Sequence, residues 1–102
     1  MARVLVMGRK PGIVKAVKLQ FGDLGVSWVE VGNFADVSTS LDAHPDIGIA
    51  IMGAGLDDKM RGELIGLIAR KRPDISIHLK DRKSGPTGMA PFVAQLVKSF
   101  IA

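Results

Sequence analysis

The chain has 102 residues, 47% of them apolar and 24% charged, which suffices for one core and argues against disorder. Cysteine and tyrosine are both absent, so disulfides, thiolate metal sites, cysteine nucleophiles and phenol chemistry are excluded. The net charge of +4 arises in the second half: residues 1–51 carry five basic and five acidic side chains, residues 52–102 nine and five.

In chain order, the first apolar run is Arg3-Val4-Leu5-Val6-Met7, a strand that follows Met1-Ala2 with no leader-type cleavage site. Ile13, Val14, Val17, Phe21 and Leu24 then recur at helical spacing, opened by Pro11-Gly12 and closed by Gly22 and Gly25. Ser27-Trp28-Val29-Glu30-Val31 is a second strand, and Phe34, Val37 and Leu41 mark a shorter helix. A third strand, Ile47-Gly48-Ile49-Ala50-Ile51-Met52, precedes a helix on Met60, Leu64, Leu67 and Ile68. The fourth strand, Ile75-Ser76-Ile77-His78-Leu79, leads to a last helix on Met89, Phe92, Val93, Leu96, Val97 and Phe100.

Strand and helix alternating four times predict right-handed βαβ crossovers and a parallel sheet with helices on both faces. The first and third runs are apolar almost throughout, as central strands must be, whereas Glu30 and His78 suit edge strands. The expected fold is a three-layer α/β sandwich over residues 1–102, a single (βα)4 domain with strand order 2-1-3-4. No run approaches the roughly 20 apolar residues of a membrane span, so a cytoplasmic protein without membrane contact is expected.

Ligands of such sheets bind beyond the carboxyl ends of the strands, where strand order reverses, here between the first and third. The turns at that edge supply Gly8, Gly12, Gly53 and Gly55 for close backbone approach. They also supply four cations, Arg9, Lys10, Arg82 and Lys83, the last two in the 80–88 loop. These eight residues are the expected binding set. Asp57 and Asp58 cap the third helix and oppose an anion there.

Met7-Gly8-Arg9-Lys10-Pro11-Gly12-Ile13-Val14 resembles the first turn of short-chain dehydrogenases, and Ala50-Ile51-Met52-Gly53-Ala54-Gly55 resembles their cofactor-side strand and loop. The resemblance covers about the first 60 residues and implies a Rossmann/flavodoxin-like, nucleotide-binding scaffold. Val14 stands where that family has its third glycine, and the family's tyrosine has no counterpart, so hydride transfer is not implied. The alternating plan also resembles receiver domains of two-component signalling. Here Gly8-Arg9-Lys10 replaces their acidic pair, Met52-Gly53 replaces their phospho-accepting aspartate, and four units replace five. That resemblance implies a degenerate receiver-like interaction module.

No acid–base pair, activated nucleophile or metal constellation can be assembled, so no catalytic or metal-binding residue is assigned. The expected function is a small module that binds an anionic small molecule, a nucleotide or phosphate, without chemistry of its own. The alternative is a receiver-like dimerisation module. A homodimer is expected, because Trp28 lies on an edge strand and Phe92, Phe100 and Ile101 lie near the terminus. No specific nucleic-acid site is expected: Arg70-Lys71-Arg72 and Lys80, Arg82, Lys83 sit at opposite ends of a strand, roughly 16 Å apart. Gly62 and Gly66 make a stripe expected to pack against the sheet. His44 is expected to offset a helix dipole.

Overall fold

Strands and helices alternate as the apolar periodicities predict. The strands are β1 (Arg3–Met7), β2 (Ser27–Val31), β3 (Ile47–Met52) and β4 (Ser76–Leu79). The helices that follow them are α1 (Ile13–Phe21), α2 (Phe34–Ala43), α3 (Asp58–Lys71) and α4 (Met89–Ile101). The computed structural model describes residues 3–83 and 88–101, Ile101 by its backbone alone. The expected contributions of Met1-Ala2, of residues 84–87 and of the Ile101 side chain lie outside the described residues.

All strand pairs are parallel, in the order β2-β1-β3-β4. Helices α1 and α4 pack together on one face of the sheet and α2 and α3 on the other, giving a three-layer α/β fold of Rossmann/flavodoxin-like plan. The change of face has a geometric cause. Crossovers from β1 to β2 and from β3 to β4 step in opposite directions across the sheet, so right-handed connections must place α1 and α3 on opposite sides.

Two apolar clusters follow from strand alternation. Leu5 and Met7 of β1 face Val37, Leu41, Leu64 and Ile68, whereas Val4 and Val6 face Val17, Val93 and Val97. Strand β3 departs from strict alternation. Arg3 pairs with Ile47 but Val4 pairs with Ile49, a bulge that leaves Gly48 over. Ile47 therefore faces the α2–α3 layer while Ile49 and Ile51 face the α1–α4 layer.

Local chemistry fixes the element ends. Asn33 caps α2 by accepting from the Asp36 amide at 2.9 Å, and Asp57 caps α3 by accepting from the Met60 amide at 2.8 Å. His44 lies at the C-terminal cap of α2, the position expected for it. The basic run after α3 is built into the fold. Lys71 pairs with Asp42 at 2.7 Å, and the Arg72 guanidinium donates to the carbonyls of Pro45 and Ile47 at 2.9 and 2.8 Å. Arg72 also holds Asp74 at 3.0 Å, which keeps that carboxyl below the usual carboxylate range.

The glycine stripe on α3 does not pack as expected. Gly62 is exposed, and a Cβ there would touch nothing within 4 Å. Gly62→Ala is expected to stabilise the fold by about 0.5–1 kcal/mol, since alanine removes backbone entropy from the unfolded chain at no steric cost. A urea midpoint unchanged or lowered in the variant would contradict this.

Trp28 is half-buried on the α1 side of the sheet, and its indole N–H donates to the Asp23 carbonyl at 3.1 Å. Phe92 likewise packs into the core beside α1. Phe100 is 45% exposed and meets the His78 ring edge-on at 5.5 Å. Burial lowers the His78 pKa from its usual 6.5. Phe21 and Phe34, read as core positions from helical spacing, are partly exposed, and Lys98 stands over the Phe21 ring. Among the described residues no helix is long and apolar enough to cross a membrane.

Candidate functional site

The ladder of the sheet continues one residue past each strand. The Gly8 amide donates to Val31, that of Gly53 to Met7 and that of Lys80 to Met52, at 3.2, 2.8 and 2.9 Å. These bonds bring Gly8, Gly53 and Lys80 together at the carboxyl edge, where strand order reverses. A Cβ on Gly53 would lie 3.4 Å from the Met7 carbonyl oxygen, an ordinary contact, so a small side chain would fit where the two loops approach.

Above this row opens a cleft of about 880 Å³, within the range of small-molecule sites. Gly8, Arg9, Lys10, Gly12, Gly53, Gly55 and Arg82 all line it. Ile13, Ala16, Met89 and Ala90 give it an apolar wall, and Lys80 also lines it. Lys83 is exposed and is not among the lining residues. Seven of the eight expected residues thus surround one cleft.

The cations differ in what they are free to do. Arg82 pairs with Asp58 at 2.8 Å and donates to the Leu56 carbonyl at 2.9 Å, which ties it to the turn before α3. Lys80 is only 1% exposed, and its ammonium donates to the Asp81 carbonyl at 2.9 Å. Arg9 and Lys10 are exposed, and neither enters an ion pair among the described residues. The Arg9 stem lies over Gly55, and both line the cleft.

Two residues that sequence reasoning did not place at the site organise it. Arg61 of α3 is 8% exposed and donates through one terminal nitrogen to the carbonyls of Gly53 and Lys80, at 3.0 and 2.7 Å. It joins the ends of β3 and β4 beneath the cleft. Burial lowers its pKa from the usual arginine value, and the neighbouring Arg82 charge acts in the same direction. Its Nε is buried with no partner among the described residues.

The second is Glu30. Register pairs it with Val6, so it projects from β2 toward α1. Its carboxylate accepts from the amides of Gly12, Ile13 and Val14 at 2.8, 3.1 and 2.8 Å. Gly12 opens α1 at a φ of +96°, a left-handed conformation natural to glycine, and has no side chain with which to cap the helix. Orphan donors without a local cap were the available signal, since they require an acceptor from elsewhere.

No protein-family model matches the chain, and no curated protein matches it either. The described residues hold no cluster of three or more histidine, aspartate or glutamate side chains suited to a metal ion. What the cleft offers is the positive charge of Arg9 and Lys10 and an apolar wall, while the amides of Gly8, Gly53 and Lys80 on its floor are bonded within the sheet. That combination suits binding of an organic anion.

Proposed function

We propose that the chain is a binding module without chemistry of its own, and that the cleft beyond β1 and β3 takes an anionic small molecule of nucleotide size. The observation that carries this reading is the convergence of Arg9 and Lys10 with the glycine-rich turns on one cleft at the reversal of strand order. Arg9 and Lys10 supply the charge, while Ile13, Ala16 and Met89 receive the ligand's less polar body. Arg82 acts indirectly, by fixing the turn before α3.

A thermal-shift panel of nucleoside mono-, di- and triphosphates and dinucleotides tests the reading. A ligand at 100 times its Kd stabilises the fold by about 2.7 kcal/mol. Changing Arg9 or Lys10 to alanine removes a charge-assisted contact and is expected to weaken binding about tenfold for each. A second reading, the interaction module, draws support from the outer edge of β4, unpaired among the described residues, and from Leu79 at the end of that strand, 43% exposed. No stabilisation by any ligand, together with a sedimentation mass near twice 10.9 kDa, would replace the first reading by the second.

A further inference from the structure

The start of α1 differs from those of α2 and α3. The latter are capped by a residue three positions before the amide it accepts from, whereas α1 has no acidic residue in its first turn and no side-chain cap of its own. Its three leading amides instead converge on one carboxylate from a different strand, with Oε2 taking Gly12 and Ile13 and Oε1 taking Val14. A carboxylate presents the same charge and the same pair of acceptor oxygens as one edge of a phosphoryl group. Amides converging at a helix start are also where phosphates dock in nucleotide-binding turns. Gly12 and Ile13 line the cleft, so a phosphoryl group entering there could use these amides only by displacing Glu30. A tethered, preplaced carboxylate competes at an effective concentration of about millimolar or above.

We propose that Glu30 is a specificity-determining residue, an internal anion that closes the α1 end of the cleft to phosphate. The ligand's anionic group is then received by Arg9 and Lys10 at the rim, and ligands that need a diphosphate bridge seated on α1 are refused. This consequence for ligand class rests on the proposed reading of the cleft. The contact itself is tested with an inorganic anion, so the two ideas can fail separately.

The probe is inorganic pyrophosphate, titrated at constant ionic strength into the 102-residue chain and into its Glu30→Gln and Glu30→Ala variants. The backbone amide resonances of Gly12, Ile13 and Val14 report occupancy. In the parent chain they are expected to stay in place. In Glu30→Ala they should move saturably, with an affinity at least about tenfold tighter than any seen in the parent. Glu30→Gln should lie between, because its amide oxygen keeps one acceptor and loses the charge. If Glu30→Ala does not fold alone, pyrophosphate is expected to restore cooperative unfolding, and Glu30→Gln is then read by the same criterion. Equal affinity in parent and variants, or folded variants whose three amides ignore pyrophosphate, would overturn the proposal. A parent chain that seats dinucleotides on these amides would overturn it too, while leaving the cleft an anion site.

Discussion

Ile51→Ala is expected to cost about 2–5 kcal/mol, a large part of the roughly 5–15 kcal/mol that holds a domain of this size together. Ile51 is fully buried on β3, in the layer it shares with Val4, Val6, Val93 and Val97. Truncation removes three carbons from a site bounded by sheet backbone on one side and helices on the other, so the surroundings cannot collapse to fill the space. The matched control is Leu19→Ala on α1. Leu19 is 78% exposed, and its loss should change stability by no more than about 0.5 kcal/mol. Urea denaturation separates the two: the Ile51 variant should unfold at a midpoint lower by about 1 M or more, with little change in slope. A loss below about 1 kcal/mol would mean that α1 and α4 do not pack on this face as described.

Strand order was legible in the sequence because the chain contrasts two kinds of strand. Residues 4–7 and 49–52 are buried on both faces, and nothing polar interrupts them. Glu30 and His78 identified β2 and β4 as edges correctly, but only part of the reason held for Glu30. The strand is at the edge, yet the carboxylate turns inward to serve three amides of α1. Helical spacing gave each helix and overstated its core at the rims: Phe21, Phe34 and Phe100 fall on the apolar stripe by periodicity but lie at or next to a helix end, where they stay partly exposed. Strict alternation along β3 would put Ile47, Ile49 and Ile51 on one face. The bulge at Gly48 is a pairing property, decided by β1 across the ladder, and single-strand alternation does not contain it.

The cleft was legible through topology, since strand order alone says where the glycine turns meet. The roles within it were not, because they depend on who bonds whom. Arg82 and Lys83 looked equivalent to Arg9 and Lys10 as charges near one edge. The structure ties Arg82 to Asp58 and leaves Lys83 outside the cleft lining. Arg61 passed as one more polar position on α3. It lies seven residues before Ile68 and three before Leu64, which sets it on the buried stripe of that helix, and the spacing could have exposed it.

That buried arginine carries the last expectation. Arg61→Ala should destabilise the fold by about 2–4 kcal/mol, by a balance of opposed effects. Two hydrogen bonds from a charged donor to the Gly53 and Lys80 carbonyls are lost, each worth about 1.5–3 kcal/mol. Against this, the parent keeps a guanidinium desolvated beside Arg82, with Nε unpartnered, and its removal relieves that cost. Arg61→Met retains apolar volume and escapes the same burden, so it should lose less than Arg61→Ala. Arg61→Lys offers one ammonium on a shorter reach and should not restore both carbonyls. The readout specific to a clamp is local. Amide exchange at Gly53 and Lys80, whose N–H groups complete the ladder beneath the cleft, should accelerate in Arg61→Met more than at Leu5 or Val6 in the centre of the sheet. A methionine variant as stable as the parent, with protection at Gly53 and Lys80 unchanged, would show that strand pairing alone holds the cleft floor.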